Sequence, residues 1–146
     1  MTTTTNTTTT TTDLAIKPTI GSIVRAGAIG IVIAAVLNVI LYFISTAIGA
    51  LPAMASMGQP ITLLPVLTFT IGGGLAATIL YLILTRFLAH GRANTVFVII
   101  ASLVIIGMAF TPITSVVEPT VITVLLLEIM HLAAALPPMY TLTKMT

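Results

Sequence analysis

Four long apolar runs leave this chain one class of fold. They extend over residues 23–48, 61–88, 93–110 and 119–137. A helix crosses the hydrocarbon core of a bilayer with about 20 residues, each rising about 1.5 Å. Every run is long enough, the third with least to spare. The runs are continuous, not alternating, which argues against strands of a membrane barrel. Charged residues make up only 5% of the chain and hydrophobic ones 58%, whereas a soluble domain carries about 25% charged residues. Lipid is the solvent that suits such a surface. The sequence therefore predicts an all-α integral membrane protein, a four-helix bundle in up-down-up-down order.

Prolines punctuate the runs. Leu51-Pro52 closes the first, and Pro65 falls in the first turn of the second. Pro112 follows the third, Pro119 opens the fourth at a favoured first helical position, and Pro137-Pro138 predicts its stop. Residues 2–12 are threonine apart from Asn6. A tract with nothing apolar to bury cannot repay the entropy of ordering. The expected organisation is a disordered tail over 1–22, a transmembrane domain over 23–142 and a short end over 143–146.

Charge sets the expected orientation. Lys17 and Arg25 precede or open the first helix, Arg86 and Arg92 flank the connection between the second and third, and Lys144 follows the fourth. The other two connections hold no Lys or Arg. Four spans put every basic residue on one side, which places both termini in the cytoplasm of a cell whose plasma membrane holds the protein. The net charge of +2, without a basic run or interleaved aromatics, argues against nucleic acid as a partner. Absence of cysteine excludes disulfides and thiolate metal sites.

Depth counted from the span ends gathers the polar residues into one layer. Asn38 falls near the centre of the first helix, Gly72, Gly73 and Gly74 near that of the second, Ser102 near that of the third and Glu128 near that of the fourth. His131 stands about 4.5 Å further along the same helix. Small residues recur beside them. Ala26, Gly30, Ala34 and Asn38 form one ridge, and Gly73 with Ala77, or Gly72 with Ala76, repeats the spacing in the second helix. Thr70, Gly74 and Thr78 form a neighbouring row. Such faces are expected to turn inward, because small side chains let helices approach.

Glu128 and His131 are the ionisable pair of the fourth span, and three readings compete for them. A carboxylate at a helix centre costs about 3 kcal/mol, and the nine Val, Ile and Leu residues from Val121 to Leu136 return about 3–5 kcal/mol. Burial against the bundle is therefore expected, with Asn38, Ser102 or each other as partners. A di-metal site needs two Glu-x-x-His motifs and two further glutamates. The chain has one such motif and one other glutamate, Glu118. His90 reads as part of the basic connection, too far from His131 to share a haem. No metal or cofactor is therefore expected within one chain, although a second copy could supply a second pair. The remaining readings are a hydrogen-bonded pair that fixes helix register and a site that holds or passes a proton.

In order of features the chain resembles a family of small bacterial four-helix membrane proteins classed as a domain of unknown function. The features are a basic start to the first helix, a glycine-rich second helix, a short basic connection and a final Met130-His131-Leu132-Ala133-Ala134 segment ahead of prolines. The resemblance covers about residues 20–142 and implies no activity. The expected function is a non-enzymatic structural or accessory component of the membrane, associated with itself or with a larger complex. The alternative is a proton-coupled carrier or small-ligand binder using Glu128, His131 and Asn38.

Overall fold

A computed structural model describes residues 17–51, 61–111, 116 and 120–146. Most of the threonine-rich tail, Glu118 and the expected helix start at Pro119 lie outside the described residues. Among the described residues four long helices pack together: α1 Ile20–Ala47, α2 Leu63–Phe87, α3 His90–Met108 and α4 Val121–Lys144. All four are long and apolar enough to cross a membrane, and no strand occurs among the described residues.

Local chemistry sets the ends. Thr19 caps α1, its side chain accepting from the Ser22 N–H at 3.1 Å, so the helix starts three residues ahead of Ile23. At the other end Gly49 takes φ 67°. Its N–H bonds Thr46 O at 3.1 Å and the Ala50 N–H bonds Ser45 O at 2.9 Å, the paired bonds of a glycine helix stop. The connection between α2 and α3 shrinks to Leu88 and Ala89, because the Ala93 N–H bonds Ala89 O at 2.9 Å. His90 and Arg92 therefore belong to the first turn of α3, not to a loop.

The expected stop at Pro137-Pro138 is corrected. α4 runs through both prolines to Lys144. Each proline removes one helical N–H, which in a free helix costs about 3 kcal/mol or more. The turn is held by its surroundings. The Thr141 hydroxyl donates to Pro137 O at 3.0 Å. Pro138, Thr141 and Leu142 beyond the break are all buried. In a bilayer, helices tolerate such breaks where neighbours support the disturbed turn.

That support comes from α1. Ala26, Gly30, Ala34 and Asn38 are all buried. A Cβ at Gly30 would stand 2.6 Å from Pro138 Cα and 2.5 Å from Thr141 Oγ1. One at Gly27 would collide with the Thr78 side chain of α2. Position numbers rise along α1 as they fall along α2, through Gly27–Thr78, Gly74–Ile31 and Asn38–Thr70, so these helices run in opposite directions. The contacts of Gly30 with Pro138 and of Ala50 with Thr123 show the same for α1 and α4. Among the described residues no Cα of α1 comes within 8 Å of a Cα of α3.

In α2 the expected packing residues divide. Gly72 and Gly73 face outward, with no described atom outside their own stretch of helix within 4 Å of an added Cβ, while Gly74 lies against Ile31. Thr70, Gly74 and Thr78 are the buried row, and Ala77 is half-buried against the core. Successive helical residues differ by about 100° in direction, so three glycines in a row cannot all face one neighbour.

Candidate functional site

Asn38 is the best-buried polar group of the expected layer, 2% exposed. Gly74, one turn from Thr70 on α2, lies against Ile31 of α1 and lets the two helices approach closely enough for Thr70 to reach it. Its Nδ2 donates to Thr70 Oγ1 at 2.8 Å, and the Thr70 hydroxyl in turn donates to Val66 O at 2.7 Å. This short chain joins α1 to α2 and ends on the backbone. Asn38 Oδ1 is buried with no partner among the described residues.

Glu128 and His131 do not pair. His131 Nδ1 lies 2.8 Å from Leu127 O, one turn back on its own helix. A carbonyl only accepts, so that nitrogen carries the proton. Glu128 Oε1 is buried with no partner among the described residues. Helical spacing brings residues three apart to one face, but side chains lean toward the helix start. The imidazole follows that lean and is used by its own helix.

Register still puts these groups in one layer. Asn38 is eight residues beyond Gly30, and His131 is seven residues back from Pro138, the position Gly30 touches. Asn38 and His131 are therefore nearly level, with Glu128 a little further toward Ser45. Ser102 is half-buried on α3, and no hydrogen bond among the described residues links it to Asn38, Glu128 or His131. Asn38, Glu128 and His131 thus share a level along the bundle and are not a bonded cluster. No group of three His, Asp or Glu residues able to hold a metal lies among the described residues.

Two polar residues belong to this region that sequence reasoning did not single out. Thr70, read only as part of a small-residue row, is the partner of Asn38. Ser45 is fully buried, and its hydroxyl has no partner among the described residues. Its signal was available: Ser45 follows Asn38 by seven residues, two turns along one face.

A lipid-facing groove of about 390 Å³ runs between α1 and α4 at the same depth. Leu37, Ile40 and Leu41 line one wall and Ile129, Leu132 and Leu136 the other. Glu128 does not line it.

At the end holding the start of α1 a different arrangement prevails. Ile23 and Ala26 of α1, Tyr81 of α2, Phe97 of α3 and Leu142 of α4 form one core cluster. Tyr81 packs edge-on to Phe97 with ring centres 5.1 Å apart. Its hydroxyl donates to Asn94 Oδ1 at 2.5 Å and lies 2.9 Å from Thr146 Oγ1. Lys17, Arg25, Arg86, Arg92 and Lys144 all lie at this end and are all exposed.

The part of the chain that builds both regions, residues 18–145, matches DUF6069, a family of unknown function. The chain belongs to that family. The match takes in all four helices and leaves the threonine tail outside, close to the 20–142 span of the expected resemblance. No curated protein and no solved structure matches the chain. Membership thus assigns no reaction to Asn38, Glu128 or His131.

Proposed function

We propose that this multi-pass membrane protein is a non-enzymatic structural component of a plasma membrane, working as a self-associated assembly. One observation carries the reading: the Glu128 carboxyl is only half-buried, beside lipid-facing side chains, and makes no hydrogen bond among the described residues. An unpaired carboxyl in a medium without water is costly, and a polar side chain of a second copy can supply a partner across helices. Glu128 stands beside residues open to lipid, with Leu125 57% and Ile129 47% exposed. A second copy meeting this face of α4 brings its own polar side chains against the exposed part of the Glu128 carboxyl. The five basic residues at one end support a cytoplasmic location for that end and for both termini. The proton-carrier alternative gains no support from the geometry, since no hydrogen bond among the described residues links its three members.

A single cysteine replacing Lys144 tests both parts, because the chain has no cysteine of its own. In vesicles prepared from cells, an impermeant maleimide should reach it only from the cytoplasmic side. Labelled with a dye in sparse liposomes, the parent should bleach in more than one step. Glu128→Leu should weaken association about tenfold, the worth of one interhelical hydrogen bond in lipid. A parent that bleaches in single steps at every protein-to-lipid ratio would sink the proposal.

A further inference from the structure

The basic end of the bundle is electrostatically one-sided. Lys17, Arg25, Arg86, Arg92 and Lys144 gather there, because Tyr81 and its cluster bring the start of α1, the end of α2, the start of α3 and the end of α4 together. The one acidic residue among the described residues is Glu128. It lies 17 residues from Met145, or about 25 Å along α4. No acidic side chain among the described residues lies among the five cations.

Arg25 differs from the other four. It sits in the second turn of α1, inside the apolar run, and lines a cleft of about 210 Å³ with Ser22, Ala26 and Ile29 of α1 and Met145 at the end of α4. Ser22 and Arg25 give the cleft its polar lining, and Ala26, Ile29 and Met145 its apolar lining. Its floor, Ala26, is buried. Among the described residues the Arg25 guanidinium has no hydrogen bond and no acidic partner. The Ser22 hydroxyl gives its proton to Thr19 O at 2.8 Å, so Arg25 is the donor left to meet a ligand. The start of α1 and the end of α4 present opposite partial charges, which offset each other and leave the selection to Arg25.

We propose that this cleft holds the phosphate of an anionic phospholipid. The guanidinium forks onto two phosphate oxygens, a geometry in which arginine excels. The acyl chains pass Ile29 and continue along α1 into the hydrocarbon. A choline headgroup would bring a further cation among the five, so the site discriminates against zwitterionic lipid. The site is independent of whether Glu128 associates two copies.

Native mass spectrometry of the full chain, from micelles holding equal phosphatidylglycerol and phosphatidylcholine, tests this. The parent should retain phosphatidylglycerol in preference. Arg25→Gln should lower that retention about five- to tenfold, the effect of one well-placed cation at an anionic membrane surface. Met145→Trp fills the cleft without changing charge or touching the core, and should lower it by a similar factor. Arg92→Gln, on the far helix, should leave most of it, and circular dichroism should show parental helicity in all three. Equal retention of the two lipids, parental retention by Met145→Trp, or an equal loss in Arg92→Gln and Arg25→Gln would overturn the proposal. Displacement of the lipid by millimolar inorganic phosphate would assign the cleft to a free anion and overturn it as well.

Discussion

α1 and α3 are both apolar helices able to cross a bilayer, and the bundle treats them in opposite ways. α1 buries seven residues: Ile23, Ala26, Gly27, Gly30, Ala34, Asn38 and Ser45. α3 buries Ala93 and Phe97 in its first turns and no residue after them. Hydropathy does not explain the difference, since lipid suits both surfaces. Side-chain size does. When lipid tails are as apolar as leucine, apolar area alone draws no helix to another, and close contact falls to faces that are small enough. α1 presents such a face along most of its length. Past Phe97, α3 turns Ile99, Leu103 and Ile106 outward. The first helix is a spine for two neighbours, and the third is attached at one end.

The comparison breaks most directly at Gly30. The added Cβ alone meets the Pro138 backbone at 2.6 Å, and backbone inside a helix cannot swing aside. Gly30→Leu should force α1 from α4 at the turn that carries both prolines. We expect a loss of about 1–3 kcal/mol or more, read as a lowered unfolding midpoint in mixed detergent. A parental midpoint would mean that the small-residue ridge does not hold the bundle.

This ridge was the most legible part of the structure, because a four-residue spacing of small side chains has one simple meaning on a helix. The glycines of α2 were less so. The same spacing can be drawn through Gly72, Gly73 or Gly74, and only the neighbour's position selects Gly74. Pro137-Pro138 misled for a related reason. A proline pair ends an unsupported helix, but the support here comes from Gly30, more than a hundred positions earlier in the chain. Glu128 and His131 share a face as their spacing implies. Nothing in the spacing tells that the imidazole takes its own helix's carbonyl. Sequence gives depth and face well, and gives hydrogen-bond partners poorly, because a partner is chosen by local rotation of a side chain.

The attachment of α3 can be tested at Tyr81. Its hydroxyl reaches Asn94 on the second turn of α3, and its ring meets Phe97 one turn further on. Tyr81→Phe keeps the ring contact and leaves Asn94 Oδ1 without that donor. Losing this half-buried hydrogen bond costs about 0.5–1.5 kcal/mol, smaller than the effect at Gly30. The same unfolding measurement should rank the two variants in that order. Parental stability would show that the two-residue connection and ring packing suffice to hold α3.

The smallest effect belongs to Gly107, near the far end of α3. It is the same residue type as Gly30, set where, among the described residues, no atom outside its own stretch of helix lies within 4 Å of an added Cβ. Gly107→Ala should change stability by less than about 0.5 kcal/mol, on the favourable side, since alanine loses less backbone freedom in a helix than glycine. The sign matters as much as the size. A loss of about 1 kcal/mol or more at Gly107, in dilute detergent where chains are apart, would show that this end of α3 is packed after all. The same loss appearing only when chains are concentrated would place a second copy against α3 and move the association surface away from Glu128.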